Sequence, residues 1–121
     1  MARPETARRV KSYSSQTGYV YQYYFYEVNK ARRGSASGNE YVYMVSEDRR
    51  KVFPLRILVR QDAVERWGRE TGRALSGTEE YAVAKLRLFQ ALDEVEDIEA
   101  HRPELTVDHS NLEALLAQLD I

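Results

Sequence analysis

Tyrosines and arginines are the side chains in this 121-residue chain whose type and spacing could do chemistry. Eight of the nine tyrosines fall between Tyr13 and Tyr43, most of them in the stretch from Gly18 to Val28. Basic residues follow closely: Arg32 and Arg33 after that stretch, Arg49, Arg50 and Lys51 further on, and Arg56 beyond them. A single-stranded nucleic-acid binder needs rings on which bases stack and cations that track the phosphates. Stacking contributes on the order of 1–3 kcal/mol per base. The same rings also suit a sheet that packs on itself or on a second subunit. Aromatic pairs across a ladder stabilise it by a few tenths to about 1 kcal/mol each, and Tyr is enriched in interface cores.

Catalytic chemistry has little to build on. The two histidines, His101 and His109, sit on either side of Pro103 in an acidic stretch with Asp97, Glu99, Glu104 and Asp108. Oxygen and imidazole donors are acceptable to several metals, but this spacing matches no compact ligand pattern, so no metal or cofactor is expected. Gly-x-Gly-x-x-Gly, the phosphate-cradling Gly-x-x-x-x-Gly-Lys-Ser/Thr and Gly-x-Ser-x-Gly are all missing, which leaves nucleotide cradles and nucleophile elbows unsignalled. Glu79 and Glu80 fall in the first turn of a predicted helix, where carboxylates favour the macrodipole and need no catalytic role. The chain is expected not to be an enzyme.

Composition narrows the setting. With 43% hydrophobic and 31% charged residues, the chain reads as one ordinary globular unit. It contains no cysteine, which removes disulfides and thiolate sites and makes a reducing cytoplasm the expected location. No apolar run approaches the ~20 residues that span a bilayer, and the first residues lack the apolar core of a secretory signal. The net charge of −1 hides a division. Residues 1–60 carry 12 basic against 5 acidic side chains, and residues 61–121 carry 6 against 14. Such asymmetry points to a surface for a polyanion, a tail for a basic partner, or two halves that neutralise each other.

The elements that must position these residues follow from periodicity. Residues 1–8 are expected to be a disordered basic leader, and residues 9–96 an α+β domain. Its antiparallel sheet has four strands, within a range of three to five: 9–14, the aromatic strand to about Lys30, 40–46 and 52–59. Arg32 to Asn39 reads as a mobile Gly/Ser-rich hairpin loop. Pro54 requires its strand to begin late, bulge or lie at an edge. Alternation puts Phe53, Leu55, Ile57 and Val59 in the core. Tyr21, Tyr23 and Phe25 are assigned inward with Val42 and Met44, leaving Tyr24, Tyr26, Tyr41, Tyr43 and Val45 outward.

Two helices packed on one face follow the sheet. Asp62 is the expected cap of the first and Gly72 its stop. Ser76-Gly-Thr-Glu79 opens the second as a capping box. That helix has a main stripe of Tyr81, Ala84, Leu88, Ala91, Leu92 and Val95, and a spare arc of Ala82, Leu86 and Phe89. Residues 97–109 read as an acidic linker. Residues 110–121 read as an amphipathic arm, opened by a second capping box at Ser110–Glu113, whose Leu112, Leu115, Leu116 and Leu119 fold back or contact another subunit. The expected function is a non-enzymatic binding or assembly module, a homodimer formed through the tyrosine-rich sheet face or the spare helical arc. The alternative is a single-stranded DNA or RNA binder, with Tyr24, Tyr26, Tyr41 and Tyr43 as stacking platforms and Arg32, Arg33, Arg49, Arg50, Lys51 and Arg56 on phosphates.

Overall fold

The computed structural model describes residues 9–121, so the expected basic leader, with Arg3 and Arg8, lies outside the described residues. The chain folds as an α+β unit in the order β1 (Lys11–Ser14), β2 (Val20–Arg33), β3 (Ala36–Ser46), β4 (Phe53–Arg60), α1 (Gln61–Thr71), α2 (Gly77–Glu94), α3 (Ile98–His101), β5 (Leu105–Val107) and α4 (Leu112–Gln118). The five strands lie in the sheet in sequence order, each antiparallel to the last except β5, which runs parallel to β4. The segment expected as an acidic linker therefore holds a short helix and an edge strand. Its three strand residues carry too little pattern to be read from sequence, and pairing with Ile57, Leu58 and Val59 is what makes them a strand.

The expected hairpin forms, but with a turn much shorter than an eight-residue loop, because β2 and β3 stay paired out to Arg33 and Ala36. Only Gly34 and Ser35 separate them, with Gly34 at φ +59°, a value that costs a residue without Cβ nothing. Pro54 sits near the start of β4, paired to Met44, while β5 joins β4 only from Ile57 onward. Proline thus occupies a part of β4 that has a neighbour on one side alone.

Register corrects the face assignment of β3. Directly paired residues share a face, and Phe25 pairs with Tyr43 and Tyr23 with Val45. Tyr41, Tyr43 and Val45 therefore join Tyr21, Tyr23, Phe53, Leu55, Ile57 and Val59 in the core, with Phe25 packed against it. Val42 and Met44 lie on the opposite face. Hydrophobicity alone does not choose the face, because a tyrosine ring packs in a core as any aromatic does. The Tyr41 hydroxyl finds Glu80 there, whereas those of Tyr21 and Tyr43 are buried without a hydrogen-bond partner among the described residues. A bulge between Phe25 and Glu27 sets Tyr26 out of the ladder, so alternation along β2 breaks there.

Helix α2 crosses the inner face and presents no fully exposed residue from Glu80 to Asp93. Its start is the expected capping box, with Ser76 accepting from the Glu79 N–H and the Glu79 carboxylate accepting from the Ser76 N–H. The spare arc is absorbed by the chain itself. Phe89 stacks on Tyr13 of β1 at 4.2 Å between ring centres and meets Tyr23 edge-on at 5.5 Å. Gly72 ends α1 at φ +73° as expected, with its N–H on the Gly68 carbonyl. Asp62 does not cap α1; it sits in the first turn and accepts two hydrogen bonds from Arg60. At α4 no capping box forms. Asp108 accepts from the Ser110 N–H and hydroxyl instead, and Asn111 is the residue that precedes the helix. Leu112, Leu115 and Leu116 are buried in the common core, and Leu119 packs against it. No described helix is long and apolar enough to cross a membrane.

Candidate functional site

The proposed nucleic-acid constellation is divided by the fold. Tyr41 and Tyr43 lie beneath α2, 5% and 0% exposed, where no base can stack on them. Tyr24, paired with Met44, is half-buried on the other side of the sheet, and Tyr26 is half-buried at the bulge. Arg32 is exposed at the β2–β3 hairpin, whereas Arg49, Arg50 and Lys51 are exposed at the β3–β4 turn. The 11 residues of β3 separate those two groups, and at about 3.3 Å per residue this is on the order of 30 Å.

Arg33 turns out to be an internal fastener. Its Nη1 donates to the Leu105 carbonyl at 2.8 Å and to the Thr106 hydroxyl at 3.2 Å. Its Nη2 donates to Glu40 at 3.1 Å and to the Arg56 carbonyl at 3.3 Å, and Nε lies 3.5 Å from Glu104. One guanidinium thus ties the hairpin to β4 and β5. Glu40 also pairs with Arg56 at 3.3 Å, so both strand arginines are already balanced by carboxylates.

The helix-free face retains apolar surface. Cross-strand rows run Tyr24–Met44–Pro54 and Glu27–Val42–Arg56. Val42 and Leu58 are sealed at 2% and 1% exposure, yet Val20 and Val52 at the same end of the sheet stay 49% and 48% exposed. Alternation from Tyr21 and Phe53 puts Val20 and Val52 on this face.

A second arrangement was not expected from sequence. Glu80, in the first turn of α2, accepts through Oε1 from the Tyr41 hydroxyl at 2.9 Å and the Asn39 side-chain amide at 2.8 Å. Both donors sit on β3, aligned by its ladder with β4. Burial first, then the bond to Glu80, raises the Tyr41 phenol far above its usual range. Tyr43 is raised likewise by burial, then by Tyr81, whose phenol lies beside it without reaching hydrogen-bonding geometry. Rings of Phe25, Tyr41, Tyr43 and Tyr81 pack around one another with centres 5.3–6.3 Å apart. Glu80 lines a cavity of about 360 Å³ with Lys30, Ser37, Asn39, Val59, Gln61 and Val64 among its walls. Nothing in the sequence pairs Asn39 or Tyr41 with Glu80, because the contact joins residues about forty positions apart.

Another recess, of about 470 Å³, gathers Arg60, Arg66 and Arg69 with Asp62, Asp108 and His109. Arg60 is held by Asp62 and Arg66 by Glu70, leaving a nearly balanced, solvated rim. No group of three or more His, Asp or Glu among the described residues is arranged to hold a metal ion. His101 instead faces the Asp97 carbonyl. Compared with protein families, curated proteins and solved structures, the chain matches none.

Proposed function

We infer that this chain is a non-enzymatic binding module that pairs with a second copy of itself through the helix-free face of its sheet. The observation that carries this reading is the pair of half-exposed valines, Val20 and Val52, at the end of a face that also bears Tyr24, Met44 and Pro54. An apolar sheet face with no helix over it among the described residues gains most by being covered. Its charges suit self-pairing. Glu27 and Arg56 occupy opposite ends of one row with Val42 between them. A two-fold axis across this row brings each copy's half-exposed Arg56, which keeps its own Glu40, near the other's Glu27, as an isologous contact allows. A cysteine-free chain of this kind fits a reducing cytoplasm.

Light scattering coupled to size exclusion tests the reading. The wild type should run at twice the chain mass, and Val20→Lys with Val52→Lys should run as a folded monomer. A wild type that stays monomeric at every concentration, or a dimer that survives both lysines, overturns it.

Single-stranded nucleic acid is the second reading, favoured by one observation: the face that carries Tyr24 also carries the half-exposed Arg56 and runs into the exposed Arg49-Arg50-Lys51 turn. An oligonucleotide retained at low salt and released steeply as salt rises supports it; no retention at low salt removes it.

A further inference from the structure

We propose that the Glu80 cavity is a binding site for an alkyl ammonium or guanidinium group, the end of a diamine or of a basic peptide side chain. It lies on the helix side of the sheet and is independent of the dimer surface.

Glu80 is built into position. Its Oε1 is fixed by two donors, the Tyr41 hydroxyl and the Asn39 amide. Tyr41 is itself held in the aromatic cluster and is 5% exposed, so this partner cannot swing away. Both donors are neutral, so they orient the carboxylate without cancelling its charge. Among the described residues no Lys, Arg or His forms an ion pair with Glu80, and its second oxygen, Oε2, accepts no hydrogen bond. A half-buried carboxylate with one oxygen committed and one open calls for a cationic donor.

The walls define the rest of the ligand. Ala31, Val59 and Val64 contribute aliphatic surface, which suits a methylene stem. Ser37 and Gln61 add polar groups at the wall, and Glu65 brings a second carboxylate. Among the described residues Lys30 is the one cation lining the cavity. Two carboxylates against one ammonium leave the recess net negative, so anions are disfavoured and a stemmed cation is favoured. Gly38 forms part of the wall because β3 and β4 approach so closely there that a Cβ would fall 1.9 Å from the Val59 carbonyl oxygen.

The test is a titration followed by amide chemical shifts of Ser37, Gly38 and Gln61. The probes are 1,4-diaminobutane, the peptide acetyl-Gly-Arg-Gly-amide, and butan-1-ol as the neutral control. Saturable shifts with either cation and none with the alcohol are expected. The diamine alone identifies a free amine, and the peptide alone identifies a protein side chain. Glu80→Gln keeps an oxygen for Tyr41 and Asn39 and should weaken binding about tenfold or more. Lys30→Ala, which removes the competing cation, should tighten it. Absence of saturable shifts with both cations, equal response to butan-1-ol, or undiminished affinity in Glu80→Gln overturns the proposal.

Discussion

Arg33 and Glu40 face each other at 3.1 Å across the end of the β2–β3 hairpin, and the same guanidinium continues to the Leu105 carbonyl on β5. Their side chains are only 18% and 15% exposed, so this pair is screened far less than a surface ion pair. Arg33→Ala should lower the unfolding free energy by about 2 kcal/mol, because Glu40 and two backbone carbonyls lose a charged donor. Arg33→Lys should recover little, since one ammonium cannot reach four acceptors in a fork. Urea denaturation of the three proteins checks both statements.

Tyr13 donates to Asp93 at 2.7 Å. Burial, with Asp93 second, pushes its phenol from 10.0 up to about 12. A raised folded-state value stabilises the protein fully below the unfolded value and loses that share as pH climbs through the folded one. Tyr13 thus contributes up to pH 10 and fades towards pH 12. Tyr13→Phe should cost about 1 kcal/mol at neutral pH and flatten part of the alkaline decline. Tyr21, Tyr23, Tyr41 and Tyr43 are shifted the same way and will preserve the remainder. Melting curves from pH 8 upward provide the comparison.

Gly38 pairs with Arg60 at the tight crossing of β3 and β4. A methyl group there would fall 1.9 Å from a backbone oxygen that no side-chain rotation can move. Gly38→Ala should destabilise by about 3 kcal/mol through forced backbone displacement. Gly77→Ala, whose Cβ would meet nothing within 4 Å, is the control and should be close to neutral.

The C-terminal leucines are part of the core. Leu115 and Leu116 are 0% and 1% exposed. Leu115→Ala or Leu116→Ala should each cost about 3 kcal/mol. Deleting residues 104–121 removes β5 and α4 together and should yield an insoluble or unfolded product. A soluble truncated chain with native circular dichroism would show that the sheet closes without them.

Much of this architecture was legible from local pattern. The Phe53–Val59 alternation, the Ser76–Glu79 capping box and the Gly72 stop each depend on neighbours within one strand or one turn, and each appears where expected. The candidate sites were less legible. Tyr41 and Tyr43 face inward, opposite to expectation, because a strand of alternating Tyr and Val or Met offers two plausible interiors. Glu80 looked like an ordinary first-turn carboxylate, since its partners lie on a distant strand.

The amino-acid order by itself determined which segments are extended, which are helical and where most of them stop, because those preferences act over a few bonds. Tertiary structure decided which face of β3 is inside, that three residues after Glu104 become a strand, and that Arg33 and Glu80 acquire partners. Those outcomes depend on register and on contacts between separate elements, where the energy of a side chain is set by what the rest of the chain places beside it.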